Sequence, residues 1–238
     1  MAPVASAPKS TIVTTARETP GPSEFWGSPR MTDKPQGVRK LLHIGCGPKT
    51  QINTHPAFHD PTQWAETRLD IDPNAKPDIV ASMTDMSMVE SEQFDAIFSS
   101  HNLEHLYPHD VPTALAEFKR VLKPTGLALI IVPDLQRVGE LIATDKLEDP
   151  AYMSPSGPIC PVDMLYGFRK SLAAGNLFMA HRMGFTRKTL AQYFLRAGFA
   201  AVRAQRDGFD LFALGYRAKP DTEAEPQTQV RLREALPV

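Results

Sequence analysis

The sequence predicts an α/β protein built on a mostly parallel sheet, and three observations predict it. Strand-like and helix-like apolar segments alternate along the chain, a glycine-rich turn follows the first strand, and an acid closes the second. Residues 39–44 (RKLLHI) read as a short buried strand ended by Gly45. Residues 67–71 make a second strand, stopped by Asp72-Pro73; 78–81 make a third and 94–99 a fourth. Over 111–122, Val111, Leu115, Phe118, Val121 and Leu122 share one helical face. Lys123-Pro124-Thr125-Gly126 ends that helix, and 127–132 follows as the fifth strand. Later, Thr186 caps a helix running to Leu195, with Leu190, Tyr193 and Phe194 as its core stripe. Gly198 closes it, and 200–205 and 211–216 supply two more strands. Alternation of this kind implies a seven-stranded, mostly parallel sheet covered by helices on both faces.

The chain has 238 residues, of which 42% are apolar and 22% charged, enough for one domain with a real core and tails. A net charge of −1 argues against a generic polyanion binder, so no nucleic-acid partner is expected. No apolar run approaches the roughly 20 residues of a membrane helix, so no membrane partner is expected either. Only Cys46 and Cys160 occur, and neither belongs to a CxxC pair. That excludes a disulfide scaffold and a cysteine-based zinc knuckle. The expectation is a cytoplasmic protein. Residues 1–37 carry six prolines and no apolar periodicity and read as a flexible leader, with Phe25-Trp26 as a pair able to dock on the fold. Residues 219–238 read as a flexible tail, leaving 38–218 as the folded unit.

The most informative segment is LLHIGCGP, residues 41–48. Glycines directly after a strand let the backbone turn sharply and approach a ligand, and their open N–H groups can hold an anion. The third glycine of GxGxxG is absent, Thr50 standing in its place, so a pyrophosphate site is not signalled. Asp70, at the end of the second strand, is placed to accept two hydrogen bonds from a ribose diol. Taken alone, GxG is compatible with a plain turn and Asp70 with a solvated strand end.

Four ordered pieces add to it: LLHIGCGP, RLDIDP, FDAIFSSHNLEHL and FKRVLKPTGLALIIVPD, with MGFTRKTLAQYFLRAGFAAV further on. Together they resemble the Rossmann-like (class I) S-adenosylmethionine-dependent methyltransferases, specifically the small bacterial methyltransferase 11 group. The resemblance implies S-adenosylmethionine as cofactor. It implies that Gly45, Cys46 and Gly47 lie against the cofactor's methionine moiety, Asp70 takes the ribose hydroxyls and Ile71 packs on adenine. It puts Met83, Thr84 or Asp85 at the adenine edge, and Ser99, Ser100 and His101 toward the sulfonium methyl. Two departures stand out. His43-Ile44 occupies the place of the family's usual acid, and Pro56 and Pro61 predict a short or broken first helix.

His101-Asn-Leu-Glu104-His105 also spells HxxEH, the zinc pattern of inverted-motif metalloproteases. Here it follows a strand and is cut by Pro108, and no convincing third ligand stands near His101 and His105, so no metal is expected. His101 is the better catalytic candidate, because an imidazole titrating near neutrality can take a proton from a hydroxyl or amine. His105 reads either as a second catalytic histidine or as a core histidine bonded to backbone.

Residues 134–183 are too long for an ordinary connection and read as an insertion after the fifth strand. A lid over the site is one reading, with His181 as a catalytic group and Tyr152, Tyr166, Arg169 and Arg182 as acceptor contacts, Asn176 beside them. A packing hairpin or homodimer contact is the other. The expected activity is methyl transfer to an oxygen or nitrogen of a small or medium-sized acceptor; the alternatives are a non-catalytic cofactor-binding partner or sensor, and an NAD-dependent oxidoreductase.

Overall fold

A computed structural model describes residues 37–219; nearly all of the expected leader and tail, Phe25-Trp26 included, lies outside the described residues. The strands are β1 (Arg39–Ile44), β2 (Trp64–Asp70), β3 (Ile79–Val80), β4 (Phe94–Ser100) and, after helix α1 (Val111–Val121), β5 (Leu122–Pro133). Then come α2 (Leu135–Ile142), a hairpin of β6 (Tyr152–Ser154) and β7 (Gly157–Ile159), α3 (Pro161–Tyr166) and α4 (Arg169–Ala173). Helix α5 (Arg187–Arg196), β8 (Ala201–Asp207) and β9 (Asp210–Tyr216) complete the unit. Seven strands form one sheet in the order β3-β2-β1-β4-β5-β9-β8, and β9 alone runs against the direction of the other six. The predicted α/β class and mostly parallel sheet are observed. No helix among the described residues is long and apolar enough to cross a membrane.

Alternation along β5 divides the core. Ala128, Ile130 and Val132 join Leu115, Phe118, Leu190 and Phe194 of α1 and α5 on one face. Leu127, Leu129 and Ile131 face the other way, onto Phe58, Trp64 and Phe98. Each fully buried Leu or Phe on either face contributes about 1.5–3 kcal/mol over its exposed state. The second face meets no long helix from the 48–63 connector. Pro56 and Pro61 break that stretch into two 3₁₀ turns, Gln51–Asn53 and Pro56–Phe58, and Phe58 from the second plugs the apolar surface.

Local details depart from the sequence reading for identifiable reasons. β5 begins at Leu122, not 127: Lys123 precedes Pro124, which disfavours helical backbone there. Leu122 therefore pairs with Phe94, and a register shift absorbs the next residues before Ala96 meets Leu127. The β6–β7 hairpin was not anticipated. Thr186 caps α5 as expected, its hydroxyl accepting from the Thr189 N–H.

The 134–183 segment has its own ionic anchor. Asp163 is buried and accepts from the Cys160 N–H at 3.0 Å and from Arg169 Nε at 2.8 Å. Burial pushes its carboxyl up, but the Arg169 bonds and the backbone N–H groups outweigh that and hold it below the usual value. A depressed folded-state pKa means stabilisation present above the unfolded value and lost as pH falls through the folded one. Asp163→Asn should therefore cost about 1–2 kcal/mol at neutral pH, Arg169 being half exposed. In urea titrations the gap from the parent should close in acid.

Candidate active site

The parallel register brings the carboxyl ends of the central strands to one edge. Ile44 pairs with Leu69 on one side and Ser99 on the other, and Ser100 pairs with Ile131. Strand order reverses between β1 and β4, and in open α/β sheets that crevice is where ligands bind. A cavity of about 560 Å³ opens there.

Its first wall is the glycine turn. Gly45 and Gly47 sit at φ +66° and +52°, where an L side chain is strained. A Cβ on Gly45 would land on the Asn102 side chain, whereas one on Gly47 would meet nothing within 4 Å. Asn102 stitches the turn to β4 through its Nδ2, which donates to the Ile44 carbonyl at 3.1 Å, the Ser100 carbonyl at 2.9 Å and Ser99 Oγ at 3.2 Å. Sequence reading missed Asn102. Asp70 is held from both oxygens: Gly47 N–H donates to Oδ2 at 2.6 Å and Asp72 N–H to Oδ1 at 2.9 Å. Each oxygen keeps a further lone pair for a ligand. Ile71 stands 49% exposed at the cavity wall, an apolar surface suited to a flat ring. Cys46 lines the cavity too, its thiol pushed up chiefly by burial and so kept neutral.

Several expected positions need correction. Of the three adenine-edge candidates, Met83 lines the cavity, but Thr84 and Asp85 do not. Their polar groups are spent within the loop, Thr84 on Ser82 Oγ and Asp85 on the Ser87 N–H. Ser100 lines the cavity, while Ser99 is buried behind it and receives Asn102. From the 134–183 segment the wall takes Asn176, Phe178, Met179 and Arg182. Tyr152, Tyr166 and Arg169 do not reach it. Tyr152 stacks on Phe209, Tyr166 is largely exposed, and Arg169 is consumed by Asp163 and Glu148. Arg182 donates to the His105 carbonyl at 2.8 Å and lies over the Tyr107 ring at 5.0 Å.

The histidines separate. His101 ends β4 at φ +57°, a left-handed conformation uncommon outside glycine, and lines the cavity with its side chain 41% exposed. Burial works against its protonation, but the Glu104 carboxylate 3.4 Å away and Asp210 at 3.7 Å outweigh that and raise its pKa. His105 also borders the cavity, yet its ring is engaged by backbone: Nδ1 is 3.1 Å from the Ala180 carbonyl and Nε2 3.1 Å from that of His101. His181 lies off the cavity wall with Nδ1 on the Met164 carbonyl at 2.8 Å, and burial lowers its pKa. It nevertheless stands beside His105, ring centroids 4.9 Å apart, which supplies the third ligand-type group that the sequence seemed to lack.

These residues fit S-adenosylmethionine. A bare Gly47 opens onto the cavity, a fixed carboxylate stands at the end of β2, and an exposed apolar side chain follows it. Residues 42–130 match the family described as methyltransferase domain. No curated protein matches the chain. Among solved structures, a Methanosarcina mazei SAM-dependent methyltransferase is similar at 17% identity, over 77% of this chain and 94% of that one, with TM-score 0.52. An O-methyltransferase family protein from Burkholderia thailandensis is similar at 13% identity and TM-score 0.52, over 77% of this chain. This chain spans about half of that protein's length, 52%. A Burkholderia thailandensis 1,6-didemethyltoxoflavin-N1-methyltransferase with bound S-adenosylhomocysteine is similar at 18% identity and TM-score 0.48, over 77% of this chain and 72% of that one. The family's match thus runs from inside β1 into β5, across the strands whose carboxyl ends build the cavity, and the structural likenesses show the same α/β fold around it.

Proposed function

We propose that the chain transfers a methyl group to an oxygen or nitrogen of a small or medium-sized acceptor, in the cytoplasm. The observation that carries this reading is a single cavity with two unlike walls: the glycine turn, Asp70 and Ile71 on one side, Asn176, Phe178, Met179 and Arg182 on the other. The first wall suits the cofactor and the second an acceptor with a flat or apolar body and a polar group for Arg182. The 134–183 segment is then the acceptor lid. S-adenosylmethionine supplies an electrophilic methyl on a cationic sulfur, so the protein's work is alignment. His101, at the strand end between the walls, takes the proton of a neutral hydroxyl or amine acceptor. The two cysteines, both buried and unpaired, are in keeping with a reducing compartment.

The test is a screen of small hydroxyl and amine acceptors with methyl-labelled cofactor, followed by Arg182→Ala. With any acceptor found, that variant should raise KM about 10-fold or more while S-adenosylhomocysteine affinity stays unchanged. Equal loss of both would sink the division of the cavity. Label appearing only on protein or nucleic acid would replace the small acceptor.

A further inference from the structure

Glu104 is an anomaly the proposed reaction does not use. It is 1% exposed, and neither carboxylate oxygen has a hydrogen-bond partner. An ionised carboxylate in the interior needs a cation against it, and His101 Nδ1, 3.4 Å from Oε1, leaves Oε2 without a hydrogen-bond partner. Around it stand His105 and His181, and one donor atom from each of the three lies within 4.8 Å of the others.

The surroundings orient these donors. His181 Nδ1 faces the Met164 carbonyl, which only an N–H can satisfy, so the lone pair falls on Nε2. A backbone acceptor on the far ring nitrogen is how metal-bound histidines are usually held. His105 has a carbonyl oxygen opposite each nitrogen, but a neutral ring donates only one proton. Its second nitrogen is left lone pair to lone pair with an acceptor, beside the Glu104 carboxylate.

The backbone keeps the group together. The Arg182 and Met183 N–H groups both donate to the Glu104 carbonyl, at 2.9 and 3.1 Å, and His181 N–H to that of Tyr166 at 3.1 Å. Glu104 and His105, on the 3₁₀ turn Leu103–His105, and His181, 76 positions beyond His105, are thereby held together through their backbone.

We propose that Glu104, His105 and His181 form a binding site for a divalent first-row transition ion of the zinc type, tying the end of the 134–183 segment to the end of β4. Two imidazoles and one carboxylate suit zinc, cobalt or iron; magnesium and calcium prefer all-oxygen sets. Three protein ligands leave a coordination position for water. The rival is a proton: His101 Nδ1 lies 3.4 Å from Glu104 Oε1, and an imidazolium there would balance the charge without metal.

Co²⁺ and Zn²⁺ distinguish the two. The full chain, stripped with a chelator and dialysed, is titrated with Co²⁺ while visible absorption is followed, and Zn²⁺ is then added as competitor with Mg²⁺ as control. The proposal expects one Co²⁺ per chain with ligand-field bands, displaced by Zn²⁺ and not by Mg²⁺. Glu104→Gln and His181→Asn should each weaken Co²⁺ binding by more than the roughly 10–100-fold that loss of a supporting partner costs. His109→Gln, on the surface, should not. S-adenosylhomocysteine binding checks that each variant is folded, and the only partly buried His181 keeps the test open if Glu104→Gln does not fold. Absence of Co²⁺ uptake, or bands that survive His181→Asn, overturns the site and leaves the proton as the balancing charge.

Discussion

Asp70→Ala is expected to cut affinity for S-adenosylhomocysteine by roughly 10- to 150-fold, corresponding to about 1.5–3 kcal/mol for hydrogen bonds to a charged group. The carboxylate is already oriented by the Gly47 and Asp72 N–H groups, so no ordering cost falls on binding. Removing it loses the acceptors for the ribose diol and also frees the turn that bears Gly47. Asp70→Asn should fall between the two, since it keeps the shape of the side chain and one carbonyl oxygen but not the charge. Isothermal calorimetry on variants with unchanged thermal midpoints measures this. Parent-like affinity in a folded Asp70→Ala would remove the residue from the site.

Gly45→Ala should act on stability first. The left-handed backbone costs a non-glycine residue about 1–2 kcal/mol. The new Cβ also meets the Asn102 side chain, whose two Nδ2–H groups have to withdraw from the acceptors they share, at roughly 0.5–1.5 kcal/mol each. A loss of about 2–5 kcal/mol follows, which corresponds to a fall of roughly 4–20 °C in the thermal midpoint for a unit of this size. Gly47→Ala makes the contrast. Its Cβ meets no protein atom, so only the backbone strain remains and stability falls by about 1–2 kcal/mol. That same Cβ projects toward the ligand, so cofactor affinity should fall more in Gly47→Ala than its stability does. Scanning calorimetry and ligand titration on both variants read the two effects separately; equal destabilisation would contradict the Asn102 clash.

What could be read from the sequence was local. Gly45, Gly47, Asp70 and His101 each announce themselves by residue type at a strand end, and a parallel register brings strand ends together without further information. The adenine edge stays open between three residues in the sequence, and of these Met83 lines the cavity. Type and spacing do not say which of Met83, Thr84 and Asp85 turns inward, and Ser82 captures Thr84 within the loop. In the 134–183 segment, selection by chemistry favoured Tyr152, Tyr166 and Arg169, but Asp163 had already claimed the Arg169 guanidinium. Phe178 and Met179 line the cavity without any polar chemistry to single them out. Asn102 carried a signal that went unused, a carboxamide immediately after a strand end opposite a glycine turn. His181 is expected from the sequence as a catalytic group, but nothing there pairs it with Glu104 and His105, which are distant in sequence and joined to it only by the return of the chain before α5.

The most direct measurement of the central claim is a crystal structure of the full chain with S-adenosylhomocysteine. The account predicts both ribose hydroxyls within hydrogen-bond distance of the Asp70 carboxylate and the adenine against Ile71 and Met83. It also predicts the homocysteine over Gly45–Gly47, with the sulfur directed to the space between Ser100, His101 and Arg182. A ligand seated elsewhere, or one whose sulfur points away from His101 and the 134–183 wall, would contradict it.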